Sequence, residues 1–431
     1  MTQFDLRITW AKRGKGGQPW LDATAAKLDF TLGSRHVTRN RLDSREIEDR
    51  VEVPLYHLAE WVAENWWSLL FEPQKNEDSE AENAFRERHW LGTARRGFAL
   101  PDVWLNPVGD AVSVVANPCN LRQAGVHFLE EYSALVPLDQ VRSVLTHFVD
   151  ATVAKLRERS VIGTDLEETW DRVTGTPPDA EVFCRCMGAL GLSPYEEHPR
   201  VEAILDELTE KLPTSLVLEI CQAADAGNLK ATADAAALAQ KSLDSAASLD
   251  LSAVKDIVLP ADRPTLEAWH HGVQSARKVR TVLGISQDDP CGVDRLFDRL
   301  HYNPNAVSPA LPPESVPNLN GAVDREDDNF RVAVIEGRPA QRRFSGTRGI
   351  FLAWSSDRKA RKLLTSARTR DQQASRAFAA ELCAPIGWIR QHARNGRLTS
   401  YDIEELAEDL NISGFVVFNQ ARNNGLDVVR Y

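Results

Sequence analysis

Apolar residues recur with two different periods along this chain, and the change of period divides it. Up to about residue 125 the pattern alternates. Phe4-Asp5-Leu6-Arg7-Ile8-Thr9-Trp10, Leu28-Asp29-Phe30-Thr31-Leu32 and Val112-Ser113-Val114-Val115 each send successive side chains to opposite faces, as half-buried strands do. One helix is expected among them, from Leu58 to Leu70, where apolar positions recur at three and four residues. Seven of the eleven tryptophans fall in this part: Trp10, Trp20, Trp61, Trp66, Trp67, Trp90 and Trp104. Two readings of them stand side by side: core packing, and an exposed aromatic patch that anchors a partner.

From about 126 to 255 the period becomes helical. Val141, Val144, Leu145, Phe148, Thr152 and Leu156 form one stripe after Pro137-Leu138-Asp139, a plausible helix start. Further helices are expected at Ala180 to Leu190, Arg200 to Glu210 and Leu216 to Gln222, and the alanine-rich run Ala231 to Ala247 favours helix by propensity alone. Cys184 and Cys186 stand two apart on one of these helices and therefore point different ways, which is poor geometry for a shared metal or redox role.

The chain has 431 residues, enough for two or three domains with substantial cores. Hydrophobic content of 43% and charged content of 26% are those of a soluble globular protein. No apolar run approaches the length of a membrane span, so no membrane association is expected. Met1-Thr2-Gln3-Phe4-Asp5-Leu6 lacks a basic region leading into an apolar one, which reads as no signal peptide. The six cysteines show neither disulfide-like nor zinc-ribbon spacing, so cytoplasmic residence with free thiols is the simplest expectation.

Charge is unevenly placed. The whole chain carries −11, which argues against a general nucleic-acid coat. From Arg338 to Arg376, however, eleven Lys or Arg stand against Asp357 and Asp371, a local balance of 11 − 2 = +9. Arg342, Arg343, Arg348, Arg358, Lys359, Arg361, Lys362 and Arg376 are the candidate partner-binding residues of this stretch, which also holds Arg368 and Arg370. Either it is a solvated face, or an acidic protein surface or a phosphate backbone docks there.

The run Ala374-Ser375-Arg376-Ala377-Phe378-Ala379-Ala380-Glu381-Leu382-Cys383-Ala384-Pro385 resembles the A-x-x-F-A-A-E-L-L-x-P signature of the ImmA/IrrE family of zinc metallopeptidases. The resemblance extends over approximately 260–431. It opens with a helix around Leu266-Glu267-Ala268-Trp269-His270-His271-Gly272 and closes with Leu406-Ala407-Glu408-Asp409-Leu410-Asn411-Ile412-Ser413. In that family a helix beginning R-F-x-x-A carries H-E-x-x-H, two zinc-binding histidines four apart and a glutamate that acts as general base. Here Arg343-Phe344 matches the opening, but Arg348, Gly349 and Leu352 occupy the His, Glu and His positions, and Gln372 gives the closest register for the third, acidic ligand.

Arg348 brings a permanent positive charge and no lone pair, Gly349 has no side chain to move a proton, and Leu352 has no ligand atom. His392 is the one histidine after His301, too few for a three-ligand site. The resemblance thus implies a peptidase fold without its catalytic residues or its cofactor.

The expected fold is multidomain α+β: a β-rich, Trp-containing domain over 1–125, a central helical bundle over 126–255, and a mainly helical, degenerate zincin-like domain over 256–431. Within the last, the loop from Asn303 to Gly321 carries five prolines, which resist regular structure.

Other motifs carry less. Gly14-Lys15-Gly16-Gly17 lacks the ending of a phosphate-binding loop and reads as a turn between strands. His270 and His271, adjacent on a helix, diverge by about 100° and do not share a ligand role. Ile403 to Leu410 and a second helix from Gly414 imitate a helix-turn-helix, with Asn419, Gln420, Arg422 and Asn423 as base-reading residue types. Glu404, Glu405, Glu408 and Asp409 on the first helix would repel phosphates, so the unit reads as a structural pair.

Three functions are consistent with these residues. The first is a non-catalytic regulatory or protein-interaction component with a regulator, toxin or defence component as partner. The resemblance implies this, because active relatives cleave XRE-type repressors, sense stress, and often stand beside prokaryotic toxin–antitoxin pairs or phage-defence genes. The second is a DNA-binding transcriptional regulator using the basic 338–376 segment. The third is an enzyme with unrecognised chemistry in residues 1–255, for which no residue constellation speaks.

Overall fold

The computed structural model describes residues 3–12, 17–44, 46–75, 79–262, 267–306, 318–335 and 337–429. Gly14 to Gly16, Leu266 and most of the proline-rich loop after Asn303 lie outside the described residues. The fold is mixed α+β, about 51% helix and 20% strand. Its contacts gather into two compact units, Met1–Leu205 and Asp206–Tyr431, so the sequence-based boundaries near 125 and 255 fall inside units.

In the first unit, β1 (Phe4–Trp10) pairs antiparallel with β2 (Ala25–Leu32), with Phe4 opposite Leu32 and Trp10 opposite Ala26. The alternation read from β1 is real: Phe4 and Leu6 are buried. The single helix expected from Leu58 to Leu70 is two. α1 (Tyr56–Glu64) and α2 (Trp66–Phe71) are separated by Asn65, whose backbone leaves the helical region and whose Nδ2 donates to the Trp61 carbonyl at 2.8 Å. An asparagine that satisfies a helix-end carbonyl with its own side chain makes such a break cheap.

A second sheet contains β3 (Ala111–Asn117), paired with Asp102–Pro107 on one side and Tyr132–Pro137 on the other. The strand Tyr132–Pro137 runs directly into α3 (Leu138–Glu158), whose inward stripe includes Val141, Leu145, Phe148 and Leu156. α4 (Asp165–Thr174) follows, capped by the Thr164 side chain, which accepts from the Glu167 N–H.

Of the eight tryptophans in this unit, four are buried, while Trp10, Trp20, Trp90 and Trp104 are half-buried. Trp61, Trp66 and Trp67 are buried, with Trp66 edge-on to Trp170 and the Trp67 indole N–H donating to the Tyr195 hydroxyl. Beneath them lies a buried ionic cluster. His89 has one ring nitrogen 2.7 Å from the Leu105 carbonyl and the other 3.1 Å from Glu72 Oε2, so both nitrogens face acceptors. Burial pushes the Glu72 carboxyl up, but hydrogen bonds from Arg88 and His89 outweigh it and hold the group at about 2. Cys184 and Cys186 are buried free thiols.

The second unit begins with two helices that the sequence assigns to a central bundle, α5 (Thr214–Ala223) and α6 (Leu229–Ser245). Both pack instead on the sheet of this unit. α7 (Ala268–Val282) precedes β4 (Leu319–Glu326) and β5 (Asn329–Val334), an antiparallel pair. Next come α8 (Pro339–Ser355), β6 (Lys359–Thr365) and α9 (Arg370–Cys383). The sheet order is Leu249–Asp250, β5, β4, β6, all antiparallel, which leaves β6 as an edge.

α8 covers the sheet, with Ile350, Phe351 and Leu352 in the core beside Val323, Val332 and Leu364. α9 packs between α7 and α8, with the Phe351 and Phe378 rings stacked at 4.6 Å. α7 approaches α9 closely at Gly272, where a Cβ would lie 2.2 Å from the Ala374 carbonyl oxygen.

Two arginines, Arg280 fully buried and Arg325 half-buried, hold the C-termini of these helices. Arg280 of α7 donates to the Leu382 carbonyl at 2.7 Å and to Asp289 O at 2.5 Å, and Arg325 of β4 donates to Ala353, Trp354 and Ser356 carbonyls. Cations at helix C-termini satisfy the last carbonyls and oppose the dipole. The chain closes with α10 (Ser400–Leu410) and α11 (Gly414–Asn423) between two short parallel strands, Arg397–Thr399 and Asp427–Val429.

Candidate functional site

Arg338 is extended and Pro339 opens α8, a position where the missing N–H costs nothing. The helix carries Arg348, Gly349 and Leu352 inward. Arg348 is 3% exposed. Its Nη1 donates to Asn320 Oδ1 at 2.8 Å, and its Nη2 donates to the Thr365 carbonyl at 2.7 Å and to Gln372 Oε1 at 2.8 Å. Its Nε lies 3.4 Å from Ser375 Oγ. One guanidinium thus ties α8 to β4, β6 and α9. Residues 348 and 372, which the sequence comparison placed in one site, do meet.

The other two positions are closed in different ways. A Cβ at Gly349 would stand 2.4 Å from Val332 Cγ1, and a valine methyl has little freedom to move aside. No glutamate fits there without displacing β5. Leu352 is fully buried in the apolar core. His392 lies on the short helix Ile386–His392, with its Nδ1 against the Trp388 carbonyl. Among the described residues, no three His, Cys, Asp or Glu side chains converge on a point that could hold a metal ion.

The edge of β6 beside Arg348 is also occupied. The Leu363 N–H donates to Glu219 Oε2 of α5 at 2.7 Å, and the Leu363 carbonyl accepts from Gln372 Nε2 at 2.6 Å. The Thr365 N–H donates to Gln372 Oε1 at 3.0 Å, while the Thr365 carbonyl accepts from Arg348 and, at 3.2 Å, from Arg376. The Gln372 amide therefore mimics one residue of a neighbouring strand. An open edge offers these groups to an added peptide strand. Here side chains of the chain itself take them.

Electrostatics reflect this enclosure. Burial raises the Glu219 carboxyl to about 7, against the pull of the Leu363 N–H and Lys362. Burial, then the neighbouring Arg348 and Arg368, lowers Arg376 to about 9. Its guanidinium is held by the Thr365 and Ala367 carbonyls.

The basic segment does not form one continuous patch. Arg343 makes a bidentate pair with Asp294 at 2.5 and 2.8 Å. Arg361 pairs across the strands with Asp324 at 3.2 Å, Lys362 pairs with Asp371, and Arg370 reaches Asp262 at 2.6 Å. Arg342 is half-buried, and Arg358 and Lys359 are exposed where β6 begins.

The helix-turn-helix imitation is tied down in a similar way. Gln420 is buried, and its Nε2 donates at 2.7 Å to Glu381 Oε2, whose other oxygen accepts from Arg277. It cannot read a base edge. His271 faces inward against Phe351, while His270 stacks on Trp269, as expected for adjacent helical residues.

Among known proteins, no family model, no curated protein and no solved structure matches this chain.

Proposed function

We propose that the protein is a non-catalytic regulatory or interaction component whose second unit is a degenerate ImmA/IrrE-like peptidase domain. The observation that carries this reading is the Arg348–Gln372 hydrogen bond, formed where the resemblance calls for metal ligands. A buried guanidinium repels a divalent cation and offers no lone pair to one. The side-chain-capped β6 edge supports the same reading, since a substrate strand has no free backbone partners at Leu363 and Thr365. The partner class remains the one the resemblance implies: a regulator, toxin or defence component. Arg358 and Lys359 are the candidate basic residues that face solvent where β6 begins.

The test is a zinc titration against a chromogenic chelator, paired with a proteolysis assay on unfolded casein and on an XRE-type repressor. The expected outcome is no stoichiometric zinc uptake and no cleavage. Cleavage that a chelator abolishes would overturn the proposal.

A further inference from the structure

The first unit contains an open cleft of 680 Å³ that none of the preceding chemistry uses. One wall is α1, which presents Tyr56, His57 and Glu60 to it. Tyr56 and Glu60 are four apart and share a helix face. Glu60 is 9% exposed, and its Oε2 lies 3.3 Å from His57 Nδ1. Aromatic rings continue this wall: Trp20 is 5.9 Å from Tyr56, and Tyr56 is 5.5 Å from His57. The opposite wall is the turn between α3 and α4 and the exposed Asp165 at the first turn of α4.

The rim is conformationally unusual. Arg96 (φ 40°), Ser160 (φ 58°) and Gly163 (φ 67°) all line the cleft in the left-handed region, and two of them carry side chains. Such backbone is costly away from glycine and gathers at binding sites. An anion is poorly served here. The α4 N-terminus is already capped by Thr164, and Asp165, Glu167 and Glu168 occupy its first turn. Glu64, one turn beyond Glu60, has its carboxyl raised by burial and then by Glu60, against the opposing pull of Arg96. Asp165 pushes Glu64 the same way as Glu60, so two carboxylates of the lining act there against the one guanidinium of Arg96.

We propose that this cleft binds a small organic cation, with an ammonium or guanidinium group held between Glu60 and Asp165 and a planar body against Trp20 and Tyr56. Carboxylates supply charge-assisted hydrogen bonds, and the aromatic faces attract the cation and cover its apolar part.

Isothermal titration of the full chain with tryptamine and with indole-3-acetate tests this, since the two probes share a ring system and differ in charge sign. Tryptamine is expected to bind and indole-3-acetate to give no heat. Asp165→Asn should weaken tryptamine about fivefold and Glu60→Gln at least about tenfold. Asp165 is exposed, so its variant decides the matter if Glu60→Gln does not fold. Equal binding of the two probes would sink the proposal. So would tryptamine affinity unchanged in Asp165→Asn, or no tryptamine heat up to about 10 mM.

Discussion

Arg348 joins four elements through one planar group, and that makes it structurally expensive to remove. Arg348→Met would take one donor each from Asn320 Oδ1, Gln372 Oε1 and the Thr365 carbonyl, of which Gln372 keeps the Thr365 N–H and the Thr365 carbonyl keeps Arg376. The expected loss is about 2–4 kcal/mol, read from the urea midpoint. A shift below about 0.5 kcal/mol would mean that water replaces the guanidinium. Its neighbour behaves oppositely, since adding atoms is what harms. Gly349→Ala drives a methyl into Val332, for an expected loss of about 1–3 kcal/mol in the same assay. A glutamate at 349, where the resemblance implies a general base, would not fit without moving β5.

At the scale of elements, the contact of α5 with β6 should depend on pH. The folded Glu219 carboxyl titrates near 7, above its unfolded value of 4.5, so the folded state holds a proton that the unfolded state releases first. The stabilisation is then complete below about pH 4.5 and is lost as pH rises through about 7. Wild type is expected to lose more stability than Glu219→Gln between about pH 6 and pH 8, because glutamine keeps an acceptor for the Leu363 N–H without titrating. Identical pH profiles of the two proteins would remove Glu219 as the cause. Hydrogen exchange at Leu363 should quicken in Glu219→Ala.

The elements also show how far a sequence can be read. β1 and β3 were legible because their alternation is clean; β2 is a strand as expected but not a half-buried one, since Asp29 and Thr31 are buried along with Leu28, Phe30 and Leu32. The break at Asn65 was not, since apolar spacing runs through it unperturbed. β6, with its Lys-Ala-Arg-Lys start, hid its strand character behind charge. Arg280 was missed because a lone arginine reads as a surface residue. Its spacing four after Ala276 and one after Val279, both buried, was the available signal.

For the whole molecule, the local excess of positive charge is only partly a surface property. Asp262, Asp294 and Asp324 lie outside residues 338–376, arrive through folding and offset three of the nine excess charges. Arg348 and Gln372, two positions that the resemblance sets in one site, are hydrogen-bonded, whereas charge partners brought in from elsewhere in the chain were not legible. With −11 overall, duplex DNA is expected to bind negligibly at physiological salt in a filter assay. Binding that falls steeply with added salt would restore the nucleic-acid reading of Arg342, Arg358 and Lys359.

The Gln372 amide has one more consequence, for solubility. Where the N–H and C=O groups of a sheet rim are already bonded, as at Leu363 and Thr365, they cannot recruit an identical rim from another copy. Gln372→Ala should therefore promote concentration-dependent self-association, visible as mass growth in light scattering, long before it unfolds the chain.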